Sequence, residues 1–141
     1  MKYFTIEELT RTDTGLKNVP NSVEIENLKY LVDKILDPAR EALSVPIFVN
    51  SAFRSKKVNK AIGGASTSQH TKGEAADITT KDNKKLFYWI RDNCEFDQLI
   101  WEFGTSKSPA WVHVSLKRNG KNRKEVLISK KINGKTYYFK I

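Results

Sequence analysis

The stretch Ser68-Gln69-His70-Thr71-Lys72-Gly73-Glu74-Ala75-Ala76-Asp77 organises the chain together with Trp111-Val112-His113-Val114-Ser115, and these segments contain both of its 2 histidines. Imidazole nitrogens from His70 and His113 and a carboxylate from Asp77 are donors that hold a tetrahedral zinc and leave its fourth position to water. A helix would set His70 and Asp77 on one face, but Gly73 and the Ser66-Thr67-Ser68 run argue against one. The expected structure is a loop delivering His70, a tight turn at Gly73 and a strand from about Ala75 that carries Asp77. Gly73, Ala75 and Ala76 are small enough for backbones to converge there. Trp111 to Ser115 alternates as a strand, with Trp111, His113 and Ser115 on one face and Val112 and Val114 on the other. The competing structural reading is a packed, hydrogen-bonded His113 and an Asp77 that caps a turn.

Outward from this centre, the pattern mixes helices and strands. Thr5 and Glu8 form a short capping box for one or two turns ending near Leu9. From Ser22, the residues Ile25, Leu28, Leu31, Val32, Ile35 and Leu36 recur at helical spacing, and Ala39 and Leu43 continue the stripe past Pro38, where a kink or restart is expected. Pro46 to Asn50 reads as a short strand, Arg54 follows at a turn, and Ser55 can cap a helix through Lys56 to Ala61. Thr80 or Asp82 can cap the next helix, whose inward positions are Leu86, Phe87, Trp89 and Ile90.

Phe96 to Phe103 reads as a strand that makes a hairpin with the Trp111 strand through the Gly104 to Pro109 loop. Opposed residues of an antiparallel pair share a face, so Glu102 lies on the side of His113 whether it faces Trp111 or His113 itself. Glu102 is therefore the candidate general base, with Glu74 and Asp97 behind it.

The run Ser51-Ala52-Phe53-Arg54-Ser55, then Gly63-Gly64, the Ser68-x-His70-x-x-Gly73-x-Ala75-x-Asp77 signature and Trp111-Val112-His113 together resemble the zinc D-alanyl-D-alanine carboxypeptidase family. That family includes vancomycin-resistance D,D-dipeptidases and phage L-alanyl-D-glutamate endopeptidases. The resemblance extends from about Phe4 to Ser115. It implies that His70, Asp77 and His113 are zinc ligands and that Arg54 holds a substrate carbonyl or carboxylate, with Ser68 and Trp111 as further candidate substrate contacts. The chain departs from the family at the base. Ala110 stands where several members have the glutamate of a Glu-x-x-His arrangement, and Trp111 stands where others have a histidine. The implied fold is a single α+β domain over residues 1–141, a central antiparallel sheet flanked by helices, as in zinc D,D-peptidases and hedgehog-like proteins. The implied activity is hydrolysis of an amide bond in peptidoglycan stem peptides, with a phage or bacterial wall-lytic role.

The formal net charge of +9 collects at the end of the chain. Lys117, Arg118, Lys121, Arg123, Lys124, Lys130, Lys131, Lys135 and Lys140 stand against Glu125 alone. Asn133-Gly134 between two β-prone runs signals a type I′ turn, so 117–141 is expected to be a basic C-terminal β-hairpin extension of the sheet. Such charge suits an anionic cell wall as well as nucleic acid, but no nucleic-acid motif occurs, and a nucleic-acid partner is not expected. An inactive zinc-bearing wall-binding module and a basic nucleic-acid-binding protein are the alternative classes. No apolar run is long enough for a membrane span, and the start of the chain lacks the apolar region of a secretory signal. The expected course is cytoplasmic synthesis and action at the wall after release, dependent on a holin or associated with a virion, as a monomer. Cys94 is the single cysteine, which excludes an internal disulfide and is read as structural.

Overall fold

The computed structural model describes residues 1–141. Helix α1 spans Ile6–Leu9 and starts at a complete Thr5/Glu8 capping box. Asn21 and Glu24 form a second capping box at the start of α2, Ser22–Leu31. The next turn, Val32–Leu36, is wound as a π-helix, with the Asp37 N–H reaching back to Val32, and leads into α3, Asp37–Leu43. Pro38 follows the widened turn directly, as the second residue of α3, and has no N–H to continue the ladder. The helix passes the proline through a locally widened turn, with no break. Leu28, Leu31, Val32, Ile35, Leu36 and Ala39 are completely buried along this continuous stripe.

Strands β1 (Phe48–Ser51), β2 (Ala75–Thr79), β3 (Gln98–Glu102), β4 (Trp111–Ser115), β5 (Glu125–Ile132) and β6 (Lys135–Lys140) form one sheet in the order β1-β2-β4-β3-β5-β6. Strand β1 starts two residues later than Pro46, and a bulge between Val49 and Ser51 sets Ser51 opposite Asp77. Helices α4 (Lys56–Ala61) and α5 (Asn83–Asn93) begin at Ser55 and Asp82, so Asp82 and not Thr80 caps α5. Leu86, Phe87 and Ile90 of α5 are fully buried, while Trp89 packs only at the edge.

The sheet has two chemically distinct faces. Ala76, Ile78, Leu99, Trp101, Val112 and Val114 join the helical residues in one apolar core. The alternate residues Asp77, His113 and Glu102 point to the other side, as strand parity requires.

All strand pairs are antiparallel except β3 with β5. The exception follows from the path of the chain. Strand β4 ends at Ser115 opposite Gln98, the first residue of β3, and the link through 116–124 returns there before β5 begins. Two strands that start side by side run parallel. The link is clamped by Asp97, which is fully buried and accepts from the Arg123 backbone N–H (3.0 Å), Nε (3.0 Å) and Nη2 (2.8 Å). Asp97 is therefore occupied as a structural anchor and is not free to act as a base. At the far end, Asn133 (φ 52°) and Gly134 (φ 79°) make the tight turn between β5 and β6.

Burial alone would raise the Asp97 pKa, but the bonds from Arg123 overcome it and bring the carboxyl down to about 2. Because the folded value lies below the ordinary value of about 3.9, this stability is present above pH 4 and is lost as pH falls toward 2. Arg123→Ala should therefore lower the melting temperature at pH 6 and flatten its dependence between pH 4 and 2. Parallel wild-type and variant melting curves against pH would refute the clamp.

Candidate metal centre

Three separate elements deliver the charged side chains. A single 3-10 turn, Gln69–Lys72, carries His70, with the Ser68 hydroxyl accepting from the His70 N–H at 3.2 Å. Gly73 ends this turn in the left-handed region at φ 73°. A Cβ at Gly73 would lie 2.6 Å from the Glu24 carbonyl oxygen, so the close approach to α2 depends on glycine. Strands β2 and β4 supply Asp77 and His113 as direct cross-strand partners.

The Asp77 carboxylate is the hub. Its Oδ1 lies 2.9 Å from His113 Nδ1, and its Oδ2 lies 3.3 Å from His70 Nε2 and 3.2 Å from Arg54 Nη2. The two imidazoles stand edge to face with centroids 5.2 Å apart. One ligand atom from each of His70, Asp77 and His113 lies within 4.8 Å of the others, so the three can converge on one ion. Arg54 is fixed by Ser51 Oγ at 2.9 Å, and its own backbone N–H donates to the His70 carbonyl at 3.0 Å.

The protonation pattern fits a metal. His70 Nδ1 lies 2.6 Å from the Ala52 carbonyl oxygen, which can only accept. The ring proton is therefore on Nδ1, and Nε2 presents a lone pair to an Asp77 oxygen. Two acceptors face each other there, an arrangement that calls for a cation between them. Burial pushes the His70 pKa down, against the pull of Asp77, so a protonated imidazole is disfavoured in that role. Burial opposes ionisation of Asp77 too, but the two histidines outweigh it and hold the carboxyl far below the usual range. A neutral imidazole and an ionised carboxylate are the states in which these groups bind zinc. The hydrogen bond from His70 to Ala52 is the outer contact that fixes the ring.

A cleft of about 400 Å³ opens over this cluster and is lined by Arg54, Ser68, His70, Asp77, Glu102 and His113, along with Gln98 and Tyr138. Glu74 and Asp97 do not line it. In β3, Glu102 faces Trp111 and Ile100 faces His113, so Glu102 lies two residues along from the ligand row, on the same face. Glu102 is 9% exposed, and burial raises its pKa, opposed by the Ser129 hydroxyl and by His113. Trp111 borders a separate cavity of about 750 Å³ with Phe103 and Lys131. Its buried indole Nε1 lies near enough to Glu102 to favour the ionised carboxylate without closing a hydrogen bond to it. Ser129 and Tyr138 were not among the site residues expected from the sequence. Tyr138 reaches the cleft and Ser129 reaches Glu102 because β5 pairs with β3, and no local sequence pattern specifies that partner.

The His-Asp-His cluster at the floor of an open cleft is a group of side chains that can hold a metal ion. A family model described as Peptidase M15 matches residues 2–115, and the chain belongs to that family of zinc D-Ala-D-Ala carboxypeptidase-like metallopeptidases. No curated protein matches the sequence. No helix is long and apolar enough to cross a membrane.

Gly73→Ala should destabilise the fold by about 1–3 kcal/mol, because it forces a side chain into a left-handed conformation and against a backbone oxygen. Urea denaturation measures this directly, and an unchanged midpoint would refute the close-approach argument.

Proposed function

We propose that the protein is a zinc-dependent peptidase that hydrolyses an amide bond in peptidoglycan stem peptides, of the D-Ala-D-Ala carboxypeptidase or L-Ala-D-Glu endopeptidase type. The observation that carries this reading is the convergence of His70, Asp77 and His113 within 4.8 Å in a chain of the M15 family. Zinc held by these three residues would supply Lewis acidity toward the scissile carbonyl and lower the pKa of water.

The remaining work falls to the protein's own groups. Glu102 takes a proton from the attacking water at the carboxylate oxygen left free by Ser129, which bonds Oε1. It then returns that proton to the amine as the C–N bond breaks, leaving a carboxylate and an amine as products. Its burial raises its basicity for this exchange. Arg54 presents a planar guanidinium at the cleft wall, suited to a substrate carbonyl or carboxylate, and Ser68 adds a hydroxyl on the same side. The basic charge of the terminal hairpin favours approach to an anionic wall. Synthesis in the cytoplasm, release through a holin or delivery with a virion, and action as a monomer complete the reading by analogy with the family.

Purified protein should contain about one zinc per chain by elemental analysis. Asp77→Ala should lose both the metal and hydrolysis. Retained activity in Asp77→Ala would sink the reading. Glu102→Gln should retain zinc and lose about 10²–10⁴-fold in kcat, with mass spectrometry of digested muropeptides identifying the bond. Chelation should lower the melting temperature, and added zinc should restore it, since a ligand bound only by the native state stabilises it.

A further inference from the structure

The family match ends at Ser115, before the terminal hairpin begins. Yet the hairpin reaches the cleft. In the parallel pairing of β3 and β5, Ser129 stands opposite Glu102, and in the next pairing Tyr138 stands opposite Ser129. Trp111, Glu102, Ser129 and Tyr138 thus form one row across four strands, adjacent to the row that holds Asp77 and His113.

Ser129 is completely buried, and its hydroxyl donates to Glu102 Oε1 at 2.8 Å. The direction of that bond is set by a second one. The Phe103 N–H lies 3.2 Å from Ser129 Oγ, which must accept there, so the hydroxyl proton is turned toward the carboxylate. Phe103 has φ 52° and lies just past Glu102, which ties the end of β3 to the same hydroxyl. A hydroxyl held at one carboxylate oxygen removes a rotamer choice from a long side chain and leaves the other oxygen toward the cleft.

We propose that Ser129 is a positioning residue for Glu102, and that the hairpin beyond the family match is therefore a working part of the hydrolytic site. The inference rests on the reading of Glu102 as the base. Ser129 touches neither substrate nor metal ligand; it acts by fixing which carboxylate oxygen meets the water and at what angle.

The test uses the full-length, zinc-loaded protein and a muropeptide substrate. Ser129→Ala should reduce kcat about tenfold or more, on the scale of losing an outer hydrogen bond that orients a reacting group, with KM little changed. Zinc content should be unaltered. The backbone should tolerate the change, because the Phe103 N–H also bonds the Ser129 carbonyl at 3.2 Å. Ser129→Thr, which retains the hydroxyl, should recover most of the loss. In a Glu102→Gln background, Ser129→Ala should cost nothing further in residual activity, since a residue acting through Glu102 has nothing left to position.

Full kcat in Ser129→Ala, or an equal loss with and without Glu102, would overturn the positioning role and leave the base assignment intact. Wild-type kcat in Glu102→Gln would instead overturn the base assignment, and the role of Ser129 with it.

Discussion

The buried carboxylate of Asp77 is the constraint around which the rest of the structure is arranged. An ionised group taken out of water costs several kcal/mol unless cations and hydrogen bonds surround it. Here His113 Nδ1 and Arg54 Nη2 approach its two oxygens at 2.9 and 3.2 Å, and His70 Nε2 stands 3.3 Å from one of them with its lone pair turned to the same space. Each partner comes from a different part of the chain, so the charge can be accommodated only if the 3-10 turn, the sheet and the loop after β1 all assemble. The site is consequently formed in advance of any ligand. The requirements of folding and the capacity to hold a metal ion coincide at one side chain.

Strand parity then separates stability from chemistry. In β2, β3 and β4, alternate residues face the helices and form the apolar core, which leaves Asp77, Glu102 and His113 together on the opposite face without cost to packing. Glu102 and Asp77 are both buried carboxylates on that face, but their surroundings differ. Asp77 is encircled by nitrogen groups and stays ionised, whereas burial raises the Glu102 pKa against the weaker pull of a hydroxyl and an indole. Two carboxylates whose environments push them apart in acidity can divide the work of holding a cation and moving a proton.

Much of this was legible in the sequence because it is local. Gly73 signalled the turn that ends the His70 segment, alternation from Trp111 to Ser115 gave the face of His113, and Asn133-Gly134 marked the last turn. The Glu102 face was also readable, since both plausible registers of the β3/β4 hairpin agree on it. Other features depend on contacts between distant segments. Pro38 signalled a kink, but tertiary packing of the apolar stripe retains a helix by widening one turn before it. Asp97 stood behind Glu102 as a candidate base, and the 116–124 link removes it by bringing Arg123 against it. Likewise, a hairpin that extends the sheet was evident from its turn and its strands, while its edge and direction of pairing were not.

That last choice matters more than it first appears. The Asp97 clamp fixes Arg123, and pairing then begins with the Glu125 N–H bonded to the Asp97 carbonyl at 3.0 Å, which sets the register of β5 against β3. A slip of one residue would reverse every side chain of β5 between the two faces. Ile128 or Lys130 would then be the residue set opposite Glu102, with its side chain on the far face, and the carboxylate would lose its hydroxyl. A slip of two would bring Leu127 or Lys131 to it, a hydrocarbon with nothing to donate or a cation that would compete for its charge. The salt bridge from Arg123 to the fully buried Asp97 at the start of the hairpin thus acts at a distance: it selects the single register in which a serine meets the glutamate of the cleft.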